Sequence, residues 1–354
     1  MTTQVPIRPT TRADHRVELH VTSALDGHPV TLLRVSGRHD PTREPVILVH
    51  GAGVRGEIFR PPAERTLVDA LIDDGWDVWL LNWRASIDLD PVAWTLDDAA
   101  AWDHPAAVRY VSSVSGSPTM KAVIHCQGST SFAMAAAAGL LPEVTTIVSN
   151  AVSLHPVIPP VSVFKIRRLR PLIQSLTPYL NPAWGDEPDS LFGRAARAAV
   201  NLTHRECDNA VCRQVSFTYG AGRPALWSHS NLGPDVHEWI RGEFGKVPMS
   251  FFAQMDACVR AGHLVSVSRR EGLPEDYGVS APQTGARWVL YAGADNRCFL
   301  PESQERTYRW LEGLEPGRHA LHVVPGYGHL DIFLGRNAAR DVFPGMVAEL
   351  ARPT

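Results

Sequence analysis

The chain has 354 residues, a length that suits about two domains, and its 44% apolar and 20% charged content is that of an ordinary globular protein. A net charge of −3 supplies no basic field, so nucleic acid and anionic membrane are not indicated as partners. The five cysteines, Cys126, Cys207, Cys212, Cys258 and Cys298, are odd in number and form no C-x-x-C pair. That pattern speaks against a disulfide framework and against a zinc site, so neither metal nor cofactor is expected. Residues 1–16 are polar, with no apolar signal segment, and no apolar run approaches the length of a membrane span. The expectation is a cytoplasmic protein, where thiols stay reduced; Cys207 and Cys212 would bridge only if the chain were secreted.

Residues 1–14 read as a loose tail. Arg16–His20 and Val30–Val35 read as two strands joined through Asp26-Gly27, a hairpin signal. Pro45 to His50 reads as a buried strand running into Gly51-Ala52-Gly53, and a helix is expected over Pro61–Asp74. Asp77–Asn82 is the next strand. Thr95-Leu96-Asp97-Asp98 has the form of a capping box opening a helix that Pro105 should kink. Lys121–His125 is strand-prone, the helix-prone Ser131–Ala138 follows closely, and Val144–Asn150 is a further strand. Strands alternating with helices imply a mostly parallel sheet covered on both faces. The alternation stops near His155. Residues 155–285 read as an inserted helical cap, with helical pieces at 163–177, 189–203 and 247–262. The sheet resumes at Arg287–Ala292 and His319–Val324, and a last helix covers 337–351. The expected division is 1–154 and 286–354 for the core and 155–285 for the cap.

Strand, small-residue turn and helix around Ile124-His125-Cys126-Gln127-Gly128 match the nucleophile elbow of α/β-hydrolases, with cysteine where Gly-x-Ser-x-Gly has serine. A thiol is activated by a helix N-terminus and by an imidazole. The alternative is a structural cysteine acting as a small hydrophobe. The order nucleophile, acid, histidine then selects Asp295, after the Arg287–Ala292 strand, and His329, after the last strand. Asp331 and Asp256 are rivals to Asp295. The oxyanion donors should be the backbone N–H groups of Gln127 and Ala52. Two motifs compete for other roles. Gly51-Ala52-Gly53-Val54-Arg55-Gly56 fits the dinucleotide pattern G-x-G-x-x-G, but two antiparallel strands precede it and Asn82 stands where an acid is expected. Lys165-Ile166-Arg167-Arg168-Leu169-Arg170 is a basic run able to receive a phosphate. The plainer reading puts Ile166, Leu169, Leu172, Ile173 and Leu176 on one buried helical face and the charges in water.

Several of these segments resemble the acid lipase family of the gastric and lysosomal type. Asp77–Arg84 is similar to its strand and turn before the elbow. His104-Pro105-Ala106-Ala107 is similar to its next helix, and His125-Cys126-Gln127-Gly128 to its elbow apart from the cysteine. Gly293-Ala294-Asp295 and Gly328-His329-Leu330-Asp331 are similar to its acid and histidine loops. Cys207–Cys212 and His229–Gly245 resemble its lid more faintly. The chain also looks similar to bacterial hydrolase modules linked to cholesterol-oxidase-type enzymes. Cysteine nucleophiles on this fold occur in polyhydroxyalkanoate synthases and dienelactone hydrolases. The resemblance implies an α/β-hydrolase fold with a lid over an acyl pocket, and a lipid-like or polyketide-like substrate, free or bound to a carrier protein or coenzyme A. The expected chemistry is cleavage of an ester or thioester by Cys126, His329 and Asp295. Acyl transfer to an amine or hydroxyl is the second reading. A non-catalytic binding module, suggested by Ile124 at a crowded elbow position, is the third. The oligomeric state stays open.

Overall fold

The computed structural model describes residues 2–4 and 14–353. Its strands are β1 (Thr2–Gln4), β2 (Arg16–Ser23), β3 (Pro29–Ser36), β4 (Pro45–Val49), β5 (Asp77–Asn82), β6 (Met120–His125), β7 (Val144–Asn150), β8 (Tyr179–Leu180), β9 (Val247–Pro248), β10 (Arg287–Gly293) and β11 (Ala320–Val324). Nine of them form one sheet in the order β1-β2-β3-β5-β4-β6-β7-β10-β11, while β8 and β9 pair by themselves. The β1, β2, β3 and β5 pairings are antiparallel; every pairing from β5 to β11 is parallel. This is the α/β-hydrolase fold.

The parallel strands β4, β5 and β6 are buried at every residue, as helices on both faces require. Ile124 is one of these core residues, fully buried and paired with Val49 and Ser149. The bulk that suggested a non-catalytic module is therefore accommodated in the core. The chain leaves β4 toward β5 on one side and returns on the other side of β4 as β6. Such a reversal opens a crevice at the carboxyl ends of the two strands. Both β4 and β6 end there, one in His50-Gly51-Ala52 and the other in Cys126.

The helices differ from expectation for local reasons. The helix expected over Pro61–Asp74 forms only at Leu67–Asp73, where Thr66 and Asp69 make a reciprocal capping box. The capping box at Thr95 and Asp98 is formed. The kink near Pro105 is a π-helical turn at Ala99–Asp103 that passes into the helix His104–Ser115. Pro105 has no N–H to bond the preceding turn, which favours such a local rearrangement. The last helix breaks in two, Ala338–Asp341 and Phe343–Ala351. The helix Glu302–Leu314, between β10 and β11, was not anticipated.

Between β7 and β10 lies a helical insertion. It carries Pro160–Gln174 with a π-helical middle at Lys165–Leu169, then Leu191–Thr203, Ala210–Tyr219, Pro234–Trp239 and Met249–Ala261. It has a small core of its own, in which Leu180, Trp184 and Met249 are buried together. It is tied to the sheet by ions and amides. Arg55 makes bonds of 2.7 and 2.8 Å to Glu243, and buried Asp97 accepts the Val267 and Ser268 N–H groups at 2.7 and 2.6 Å.

The elbow helix Cys126–Ala137 is buried along its whole length. Its approach to β4 is set at Gly128, where an added Cβ would lie 2.1 Å from the His50 carbonyl oxygen. That oxygen already accepts the Trp83 indole N–H at 3.0 Å, so it has no freedom to retreat. From the other side Ser131 meets the buried His104 at 2.7 Å. Gly128→Ala should therefore lower the unfolding free energy by about 3 kcal/mol or more, the upper range for overpacking. A thermal melt shifted by less than about 2 °C would contradict this packing.

Candidate active site

Cys126 is the first residue of its helix and has φ of +56°, the left-handed region. For a residue with a Cβ this costs about 1–3 kcal/mol and survives only where surroundings enforce it. Gly51 is one enforcer: a Cβ there would lie 2.8 Å from the Cys126 Cβ and 3.2 Å from its sulfur. The result is a thiol turned to the helix N-terminus. The Gln127 N–H, the His329 ring and the Cys298 thiol all touch the sulfur. The sulfur and one ring nitrogen each of His125 and His329 lie within 4.8 Å of one another. Burial pushes the Cys126 thiol up, but the contacts with Cys298, His329 and the Gln127 N–H outweigh it and hold it well below the ordinary thiol value. Cys298 moves the opposite way, raised by its bond to Cys126 and by burial, so it remains the protonated partner.

The structure thus brings Cys126, Gln127 and His329 together. Asp295 is not among them. Its side chain is exposed, and among the described residues it makes no side-chain hydrogen bond; its backbone N–H is spent on Tyr327 O at 2.9 Å. The neighbour at His329 is the next residue, Asn296, which is 2% exposed and places Nδ2 3.2 Å from Nδ1 of the imidazole. The loop after β10 turns one residue later than the sequence order suggested. The rivals are engaged elsewhere. Asp331 accepts from Gly328 N at 2.7 Å, Ser228 N at 3.0 Å and Asn231 Nδ2 at 2.7 Å, and so holds the histidine loop. Asp256 is occupied by Arg260, Arg167 and Arg170.

The orientation of the Asn296 amide is fixed by its other end. Its Oδ1 accepts the Cys298 and Phe299 N–H groups at 3.0 and 3.1 Å, so only the NH2 group can face His329. A donor aimed at Nδ1 requires a lone pair there and places the ring hydrogen on Nε2. The Asn296 amide therefore selects the tautomer whose Nε2–H faces the sulfur, whereas a carboxylate at Nδ1 would hold the ring hydrogen on that nitrogen.

Ala52 follows Gly51 on the β4 turn, and its carbonyl accepts from Tyr219 Oη at 3.0 Å. The rest of the G-x-G-x-x-G turn is filled by the chain itself. Gly53 O accepts Gly245 N at 2.9 Å, and Gly56 N donates to Asn82 Oδ1 at 2.8 Å. No cradle for a pyrophosphate remains.

Above Cys126 lies a narrow cleft, lined on most sides by apolar groups such as Ile166, Ile173, Phe217, Phe251, Met255 and Phe299. The insertion contributes most of this wall. Lys165 and Arg170 also reach it, while Arg167 and Arg168 are exposed and Arg167 pairs with Asp256. Leu172 and Leu176, expected on the buried face, are 63% and 62% exposed. The π-helical turn at Lys165–Leu169 adds a residue and rotates the face beyond it. Burial lowers the Lys165 ammonium to about 8, and it donates to the Phe217 and Gly220 carbonyls. Asn296, Cys298 and Lys165 are the groups that sequence reasoning did not place here. Asn296 and Cys298 were within reach, since both follow the strand that carries Asp295.

Two outcomes check this geometry. Alkylation of the thiol that abolishes activity should map to Cys126, with a half-maximal rate at a pH well below the ordinary thiol value of about 8.5. Asp295→Asn should leave turnover within about threefold of wild type, while Asn296→Leu, which strips the ring of its partner, should lower it tenfold or more. The reverse ranking in steady-state kinetics would restore Asp295 as the partner of His329.

No protein-family model matches the chain. Triacylglycerol lipase 1 of Arabidopsis thaliana is 25% identical over 361 residues, covering 95% of this chain and 87% of that protein. Lipase member K of Homo sapiens is 23% identical, covering 91% and 84%. A thermophilic esterase from Thermogutta terrifontis superposes with a TM-score of 0.58 at 14% identity, over 95% of this chain and 100% of that one. No helix of the described residues is long and apolar enough to cross a membrane. With the elbow, the histidine loop and these likenesses together, the chain is an α/β-hydrolase-fold protein distantly similar to the acid lipases.

Proposed function

We propose that this protein is an esterase or thioesterase that works through an acyl-thioester on Cys126. The observation that carries the reading is a thiol held on a strained elbow, in contact with His329, at the floor of an apolar cleft. Similarity to two lipases supports ester chemistry, and the cleft supports a lipid-like acyl group. The residue 155–285 insertion acts as the cap that closes over it. The insertion also exposes Val161, Phe164, Leu172, Leu176, Leu191 and Leu202, which suits contact with an aggregated or membrane-borne substrate.

In this mechanism the Cys126 thiolate attacks the acyl carbonyl. The Gln127 and Ala52 N–H groups receive the oxyanion. Collapse expels the alcohol or thiol and leaves the acyl group on sulfur. A second nucleophile then releases it and regenerates the thiolate. His329, in contact with the sulfur, is the group placed to pass protons in both steps.

The second reading, acyl transfer, is favoured by one feature. The Asn296 amide holds the ring hydrogen of His329 on Nε2, so proton uptake at that nitrogen first needs Nδ1–H to face the amide. Water depends on a base more than an amine or a thiol does. The site is thus better suited to an acceptor stronger than water than a serine-type triad is.

Intact mass spectrometry after exposure to a panel of acyl esters tests the proposal. Wild type should gain one acyl group on Cys126, and Cys126→Ala should gain none and turn over nothing. Cys126→Ser should lose at least about a hundredfold, near 2.7 kcal/mol in barrier, because a hydroxyl must give its proton to Nε2 of His329, where the Asn296 amide keeps the ring hydrogen. Adding Asn296→Asp to the serine variant should recover tenfold or more of that loss. An active Cys126→Ala protein would end the proposal. Longer or bulkier acyl groups should be preferred over acetyl by more than about tenfold, worth about two buried methylenes.

A further inference from the structure

A second constellation of chemistry-bearing side chains lies in the insertion, apart from the candidate active site. Cys207, Cys212, His229 and His237 each bring one sulfur or ring nitrogen to a common point, all four within 4.8 Å of one another. We propose that these four residues form a structural zinc site.

Both cysteines are free thiols, Cys212 buried and Cys207 partly so. Two thiolates and two imidazoles are the donor set of tetrahedral structural zinc, and two thiolates neutralise its charge. The separations fit. Ordinary Zn–S and Zn–N bonds at a tetrahedral angle put sulfur and nitrogen about 3.5 Å apart; Cys212 Sγ and His229 Nε2 are 3.4 Å apart. The two rings stand edge to face, with centroids 5.0 Å apart and planes at 89°, so both can point lone pairs at one ion. A separate observation also calls for a ligand. Nε2 of His237 is buried without a hydrogen-bond partner among the described residues, a costly state for a polar nitrogen. The absence of C-x-x-C, taken above as evidence against zinc, does not bear on a wider first pair. The ligands follow a C-x4-C-x16-H-x7-H spacing, and the first pair lies within the usual range.

The surroundings are built to hold the four donors. Asn209 Oδ1 caps the helix Ala210–Tyr219 at Cys212 N, 3.0 Å away, and its Nδ2 donates to His237 O at 2.7 Å. Cys207 Sγ approaches Asn209 O at 3.7 Å. The ion would thus join three pieces of the insertion: the turn before that helix, the helix itself and the segment 227–240. Both neighbours matter to the candidate active site. The helix supplies Phe217, Thr218 and Tyr219 to the cleft. The segment begins beside Leu226, whose carbonyl accepts His329 N at 3.1 Å and Leu330 N at 2.7 Å.

The test is elemental analysis of the full chain, produced without a histidine tag and desalted. About one zinc per chain is expected, as for a closed Cys2His2 site. Cys212→Ser and His237→Ala should each lose most of it. Cys126→Ala, which removes the other cysteine–histidine group, should keep it. Because ligand variants can fail to fold, wild type supplies a second readout. Cobalt added to the chelator-stripped protein should give the visible bands of tetrahedral, thiolate-bound cobalt and should protect Cys207 and Cys212, but not Cys126, from alkylation. Wild type that binds no zinc or cobalt, or that keeps full metal in both ligand variants, overturns the proposal. So does a Cys207–Cys212 disulfide in the native protein, seen as a mass two hydrogens lower under non-reducing conditions.

Discussion

Everything at this site depends on one close approach, the elbow helix against the end of β4. Gly128 rests on the His50 carbonyl and Gly51 rests on Cys126, with no room for a side chain at either contact. Those two contacts leave room for the elbow, where Cys126 stands in the left-handed region with its sulfur at the helix N-terminus. The strained residue is the one to which the proposed mechanism gives the nucleophile's role. The stability needed to hold it comes from the fully buried strands on both sides of it and from Trp83 and His104, which brace the elbow from the flank.

The electrostatics of the site differ from those of a serine triad by one amide. The Oδ1 of Asn296 is committed to two backbone donors, so its nitrogen faces the ring. In a serine enzyme that arrangement would place the ring hydrogen where the hydroxyl proton must go. A cysteine thiol held more acidic than usual does not need that transfer. Cysteine at 126 and asparagine at 296 are in this sense a matched pair.

Much of the framework was legible because it rests on local signals. Asp77–Asn82 and Val144–Asn150 are strands at the expected residues, the capping box at Thr95 is formed, and the sequence Ile124–Gly128 indicated the elbow through its strand, turn and small residues. What was not legible depends on where loops turn in space. Asp295 and Asn296 are adjacent in the chain, and only the loop geometry decides which meets the histidine. The exposed Leu172 and Leu176 follow from a π-helical turn that no periodicity count anticipates. The convergence of Cys207, Cys212, His229 and His237 brings together residues from three separate pieces of the insertion.

The insertion enters the sheet at a single point, between the parallel neighbours β7 and β10, and spans residues 151–286. Loop-closure entropy grows only with the logarithm of length. Replacing a dozen-residue crossover by this segment therefore costs the core only about 2 kcal/mol more. The length of the segment thus weighs little on the core; what its content must keep is the few bonds it gives to the site, from the Leu226 carbonyl, Ser228 and Asn231 to the histidine loop and from Glu243 to Arg55. The cleft-lining helices Pro160–Gln174 and Met249–Ala261 are the parts free to vary at this junction, whereas the stretch 226–231 is bound to the histidine loop and must stay with it.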